Sequence, residues 1–176
     1  VLAGAVVGRR DPMARVAQQM KLFGGTLDAQ AVWLLQRGLK TLELRLARQS
    51  ENALGLARWL DARDDVVRVW YPGLASHPDH ERASRLLSGH GAMLAFELAD
   101  WPSASDFLTR VRLATHGASL GGLETLVVSP ARSSHAAMDP VERRERFGIA
   151  DGLIRVSVGI EGLGDLIADF TAALEA

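Results

Sequence analysis

The stretch Leu153-Ile154-Arg155-Val156-Ser157-Val158-Gly159-Ile160-Glu161 places one cation inside an otherwise apolar strand pattern. Taking a guanidinium out of water without an anion costs several kcal/mol, so Arg155 needs a partner. A protein carboxylate, Glu161 or Asp151, would make an ordinary structural ion pair. A carboxylate on a small ligand would instead make a binding site, because the planar guanidinium fork matches a carboxylate with two parallel hydrogen bonds. Upstream, Ala118-Ser119-Leu120-Gly121-Gly122-Leu123-Glu124-Thr125-Leu126 is a glycine-broken turn ahead of another apolar run. That turn can supply the rest of a small anionic-ligand site, or its glycines can simply relieve backbone strain.

Other chemistries find less support. His77, His80, His90, His116 and His135 do not form a metal set: Pro78 lies inside the His77–His80 pair and no third ligand is near, so no metal is expected. Ser134-His135 pairs a hydroxyl with an imidazole, but adjacent loop residues rarely point at each other, and no catalytic triad is expected. The Gly121-Gly122 turn has neither the spacing nor the strand-to-helix order of a dinucleotide fingerprint. The chain contains no cysteine, which removes disulfides, thiolate metal sites and cysteine nucleophiles. A formal net charge of −1 gives no electrostatic reason to expect nucleic acid or an anionic membrane. No apolar run approaches the ~20 residues that span a bilayer, and there is no signal segment. With 48% hydrophobic and 23% charged residues, the chain reads as a soluble globular protein and not as a disordered one.

These residues need elements to position them. Residues 2–7 read as a buried strand ending at Gly8, and the chain opens at Val1 without methionine, so it reads as the C-terminal portion of a longer protein. Asp11-Pro12 suggests an N-cap and first helical residue, with a helix to about Leu22 closed by Gly24-Gly25. Asp28 caps a second helix, interrupted by Gly38. A long helix from about Thr41 to Arg63 shows a stripe of Leu42, Leu46, Ala53, Ala57 and Leu60, with Arg45, Arg48 and Asn52 on its polar side. Strands are expected at 66–70, 92–98, 113–115, 125–128 and 153–158. Helices are expected after Pro78, from Ser103 or Ser105, from Asp139-Pro140, and from about Leu163. Trp33, Trp59, Trp70 and Trp101 are expected in the core. This alternation implies a two-layer α/β domain, and the short linkers favour a mixed or antiparallel sheet.

Together these residues resemble the C-terminal part of the cystathionine γ-synthase/γ-lyase family, the pyridoxal-phosphate (PLP) enzymes of cysteine and methionine metabolism. The likeness runs from Val1-Leu2-Ala3-Gly4 through Gly24-Gly25-Thr26-Leu27-Asp28, Arg37-Gly38-Leu39-Lys40-Thr41-Leu42, Arg45, Arg48 and Asn52-Ala53. It continues through Tyr71-Pro72-Gly73-Leu74 with Ser76-His77-Pro78, and its most specific stretches are Ser119–Leu126 and Gly148–Glu161. The resemblance implies an aspartate-aminotransferase-like (type I) PLP-transferase fold. Residues 1–40 would be the end of the large cofactor domain, 41–63 the linking helix and 64–176 the small C-terminal domain.

The resemblance also implies a substrate site of Arg155, Ser119, Ala118 and Leu120, with Arg155 on the amino acid's α-carboxylate and Ser119 beside the cofactor. It implies a cytoplasmic homotetramer with a small amino-acid substrate, and neither a nucleic-acid nor a membrane partner. The reaction would be β/γ-elimination or γ-replacement at a carbon–sulfur bond, with PLP as electron sink. The Schiff-base lysine is expected upstream of Val1. Lys21 and Lys40 match no such motif, so no catalytic residue is assigned within this chain, which alone is expected to be inactive. Some family members carry an acid at the position of Ala118, suited to the distal ammonium of cystathionine. The apolar residue here suits methionine-like or homoserine-ester substrates. Ser133-Ser134-His135 stands where the family usually has threonine before histidine. Two rival readings are a cystathionine γ-synthase proper, acting on an O-acyl-homoserine and cysteine, and a non-catalytic truncated assembly module.

Overall fold

A computed structural model describes residues 2–175. The chain divides into two compact units, Val1–Leu44 and Arg45–Ala176.

The first unit is helical. Residues 2–9 are irregular and exposed, with Leu2 and Val7 each 94% accessible. The expected buried strand is therefore absent. A strand needs neighbours for its N–H and C=O groups, and all five strands among the described residues lie in the second unit. Helix α1 spans Arg10–Phe23 and closes on Gly24, whose φ of 72° is left-handed. Its N-cap is Arg9, not Asp11. Asp11 instead sits in the first turn, where a carboxylate complements the helix dipole. Helix α2 (Ala29–Leu39) starts as its sequence suggests, with Asp28 accepting from the Ala31 amide at 3.0 Å. It runs through Gly38 without interruption, since a single glycine costs a helix only ~1 kcal/mol.

The second unit contains most of helix α3 (Leu42–Asp61) and the sheet. Strands β1 (Arg68–Trp70), β2 (Met93–Glu97), β3 (Thr115–His116), β4 (Leu126–Val128) and β5 (Leu153–Ser157) lie in the order β1-β2-β5-β4-β3. Every pairing is antiparallel except β3 with β4, which is parallel. The sheet is mixed, as its linkers imply. Helices α4 (His80–Leu86), α5 (Trp101–Arg110), α6 (Pro140–Phe147) and α7 (Leu163–Glu175) belong to the same unit, with a 3-10 turn at Pro130–Arg132. Helix α5 begins earlier than Ser103: Asp100 is its N-cap and accepts from both the amide and the hydroxyl of Ser103. Asp139 and Gly148 bound α6 as expected. No described helix is long and apolar enough to cross a membrane.

One face of the sheet makes the main core. Val69, Leu94, Phe96, Val127, Ile154 and Val156 are buried with Leu56, Ala57 and Leu60 of α3, Phe107 of α5 and Phe170 of α7. Phe107 meets Phe96 and Phe170 edge-on, with ring centres 5.3 and 5.0 Å apart. The α3 stripe is shifted from the one expected: Leu42 and Leu46 are largely exposed, and Asn52 and Gln49 are buried in their place. None of the four tryptophans is fully buried, although Trp59 and Trp101 pack against the edge of the core. Trp33 is exposed and the other three are half-buried, each of the four beneath an arginine. Indole is large and amphipathic, and a guanidinium over its face is favourable at a surface.

Candidate functional site

Arg155 is the middle residue of β5, the central strand. It lies opposite Ala95 on β2 and Val128 on β4. Alternation turns Ile154 and Val156 toward the helical core, so Arg155 stands on the other face of the sheet with Leu153 and Ser157. That face is partly covered by the Ser119 turn.

The guanidinium has no carboxylate partner among the described residues. Both protein acids considered from sequence are engaged elsewhere. Asp151 pairs with Arg143 of α6 at 2.5 Å, and that arginine is only 4% exposed and also donates to the Ile149 carbonyl. Glu161 is taken up by Thr125. Arg155 instead donates through Nη2 to the backbone carbonyls of Ala118 and Ser119, at 3.0 and 2.9 Å. Its Nε is buried without a hydrogen-bond partner. Buried donors are almost always satisfied, so an unmet N–H on a cation is an open request for an acceptor.

The structure thus brings Arg155, Ala118 and Ser119 together, but through main-chain carbonyls and not side chains. Leu120 belongs to the same turn, with its side chain 60% exposed. The turn is held from several sides. Gly121, at φ 73°, donates its amide to Ser157 Oγ at 2.9 Å. Gln49 of α3 donates to the Gly122 carbonyl at 2.7 Å, and Ile160 N–H to the Leu123 carbonyl at 2.9 Å. Asn52, one turn further along α3, donates to the carbonyls of Gly159 and Glu161 at 3.1 and 2.9 Å.

Gln49 and Asn52 are additions to the site expected from sequence, and Glu161, considered as an ion-pair partner of Arg155, serves Thr125 instead. A signal for the helical pair existed: Gln49 and Asn52 continue the apolar stripe of Ala53, Leu56, Ala57 and Leu60, and polar residues on a buried helix face must have partners. Ser134 and His135 do meet, with Oγ and Nδ1 2.8 Å apart. The contact is exposed and local to one turn.

A cation on the open face of a sheet, with an unmet buried donor beneath a glycine turn, can receive a carboxylate. It cannot by itself hold PLP, which needs an amine for its aldehyde and donors for its phosphate. The second unit contains no lysine, and Lys21 and Lys40, both in the first, are exposed. The residues present fit an amino acid's carboxylate and do not fit the cofactor's anchors.

The fold defines a small two-layer α/β unit with a mixed sheet. The model of the Cys/Met metabolism PLP-dependent enzyme family matches residues 1–175, and the chain belongs to that family. It is 43% identical over 176 residues to a cystathionine beta-lyase of Lactococcus lactis subsp. cremoris, covering 99% of this chain and 46% of the relative. It is 40% identical to an O-succinylhomoserine sulfhydrylase of Pseudomonas aeruginosa, covering 99% of this chain and 43% of the relative. Among solved structures it is similar to cystathionine gamma synthase from Xanthomonas oryzae pv. oryzae in complex with aminoacrylate and cysteine. That match has a TM-score of 0.74 and 45% identity, over 79% of this chain and 36% of the other. The chain spans less than half the length of these relatives.

Proposed function

We propose that the protein carrying these residues is a PLP-dependent enzyme of sulfur amino-acid metabolism, cleaving or exchanging a substituent at a carbon–sulfur bond, and that this chain supplies the substrate-carboxylate site. The observation that carries the reading is Arg155: a half-buried cation with no carboxylate partner among the described residues and a buried, unmet Nε–H. Family membership supports the cofactor. Residues 1–40 belong to the end of its large domain, 41–63 to the linking helix and 64–176 to the small domain, with the cofactor's lysine outside this chain. The first unit's exposed apolar side chains, Phe23 and Trp33 among them, support self-association of the whole protein, which we read, from the family resemblance, as a cytoplasmic homotetramer.

The part these residues play is binding and orientation. Arg155 receives the α-carboxylate of the amino acid. The Ala118 and Ser119 carbonyls fix the plane of its guanidinium, and the turn through Leu120 borders the substrate's side chain. Ala118, with no acid to meet a distal ammonium, favours a methionine-like or homoserine-ester substrate over cystathionine. A γ-synthase acting on an O-acyl-homoserine and cysteine is the second reading, favoured by the 45% identity to the Xanthomonas oryzae synthase.

The test is Arg155→Met in the full-length protein. A bidentate charge-assisted pair lost at this position raises KM for the amino acid about 100-fold, equivalent to ~2.7 kcal/mol. The visible spectrum of bound cofactor stays as in the parent. An unchanged KM would refute the assignment. Product analysis with homoserine esters, with and without cysteine, separates the two readings.

A further inference from the structure

Glu161 stands beyond the end of β5, and nothing about its position suggests contact with substrate. Its carboxylate is nonetheless fully used. Oε1 accepts from the backbone amide of Thr125 and Oε2 from the Thr125 hydroxyl, at 2.5 and 2.9 Å. The same hydroxyl oxygen accepts from the Gly159 amide at 2.9 Å. Thr125 is fully buried, so its amide has no water to fall back on. The two segments close to a distance that only glycine allows: a Cβ on Gly159 would lie 2.3 Å from both Glu161 Oε2 and the Leu123 carbonyl.

Thr125 is the last residue of the loop that begins after β3 and carries Ala118 and Ser119. This loop links two parallel strands without a helix, over residues 117–125. A parallel pair ordinarily needs a crossover of a dozen or more residues, so the backbone here has little spare length to absorb a slip. The Glu161 clamp fixes one end of that loop to the exit of β5. The Ala118 and Ser119 carbonyls touch Arg155, in the middle of β5, near the other end.

We propose that Glu161, acting through Thr125, is a positioning residue for carboxylate recognition: it sets the loop register that holds Arg155 by its Nη2 and leaves the rest of the fork free for substrate. The inference rests on the reading of Arg155 as the carboxylate site. Glu161→Gln replaces one of the two acceptors by an NH2 donor, so either the Thr125 amide loses its acceptor or the Thr125 hydroxyl must turn from donor to acceptor while it also accepts from Gly159. Thr125→Val removes the hydroxyl that links Glu161 to Gly159, and Thr125→Ser retains it.

The experiment uses the full-length holoprotein and calorimetric binding of two probes, L-alanine and ethylamine, which differ by the carboxylate. The affinity ratio between them reports carboxylate recognition and is insensitive to a general loss of folded protein. The expected result is a ratio lowered about tenfold in Glu161→Gln and in Thr125→Val, the equivalent of one lost hydrogen bond, with Thr125→Ser restoring most of it. If Arg155→Met abolishes the ratio while Glu161→Gln and Thr125→Val leave it at the parental value, the positioning role is overturned and the carboxylate site stands. If Arg155→Met itself leaves the ratio intact, the underlying reading is overturned and the positioning role with it. Should Glu161→Gln not fold, the Thr125→Val and Thr125→Ser pair decides alone.

Discussion

Asn52 is the side chain whose replacement gives the sharpest energetic test of the site's architecture. It is fully buried on α3, and its Nδ2 serves the carbonyls of Gly159 and Glu161. Its Oδ1 is buried without a partner. Asn52→Ala removes two hydrogen bonds worth ~1 kcal/mol each and strands the buried Gly159 carbonyl, at ~1–2 kcal/mol more. It also removes the unmet Oδ1, which returns ~1 kcal/mol. The net loss is about 2–3 kcal/mol. Asn52→Asp has nearly the same shape but reverses the chemistry. An ionised carboxylate would face two carbonyl oxygens in a buried position, where a charge is far more costly than an unmet neutral group. The carboxyl is then expected to take up a proton, with its pKa driven upward. Urea unfolding of the full-length protein at neutral pH should therefore rank parent above Asn52→Ala, and Asn52→Ala above Asn52→Asp. On acidification the gap between the two variants should narrow, because a neutral carboxyl can donate to one carbonyl. Asn52→Asp matching or exceeding Asn52→Ala at neutral pH would refute the assigned orientation of the amide. So would a loss below about 0.5 kcal/mol for Asn52→Ala, given the burial and the bonds counted above.

Two other positions give independent outcomes. Gly152→Ala would place a Cβ 2.1 Å from the Leu98 carbonyl oxygen. The neighbour is backbone, so the strand end must move, and a loss of about 2 kcal/mol or more is expected in thermal or urea unfolding. A parental midpoint would contradict the packing. Tyr71 is the only tyrosine in the chain and is fully buried, its hydroxyl donating to the Gly91 carbonyl at 2.9 Å. Burial raises its pKa above the ordinary phenol value, with the contact to Ser50 opposing. A raised pKa means that the unfolded chain releases this proton first. Tyr71's contribution is fully present below the unfolded value of ~10 and declines as pH rises through the folded pKa. Phenolate absorbance in an alkaline titration of a protein in which every other tyrosine is replaced by phenylalanine should appear late and together with unfolding. A phenolate that titrates at the ordinary value in the folded protein would refute the burial.

Much of the second unit was legible because its signals are local. Asp139 before Pro140 and Gly148 after Phe147 bound α6 by chemistry that needs no tertiary partner, an Asx acceptor for free amides and a residue tolerant of positive φ. The same holds for Asp28 at α2. The first strand failed for the opposite reason. Residues 2–7 have a strand's composition, but a strand forms only against a neighbour, and none of the five strands among the described residues pairs with them. Asn52 falls with Arg45 and Arg48 on the expected polar side, yet it lies in line with the apolar stripe of Ala53, Leu56, Ala57 and Leu60, and only the fold shows which distant carbonyls it serves.

The site divides the same way. Sequence alone determined that Arg155 must find an anion or an acceptor, since a cation amid apolar strand residues is costly wherever the strand lies. It also determined that the Ser119 turn would be glycine-bent, because Gly121 adopts a conformation that other residues seldom hold. Tertiary structure decided which acceptors Arg155 meets. Asp151 and Glu161 are its nearest acids along the chain, yet Arg143 claims one and Thr125 the other. What leaves the guanidinium without a carboxylate partner among the described residues is thus a competition for carboxylates, settled by which segments the sheet brings within hydrogen-bonding distance.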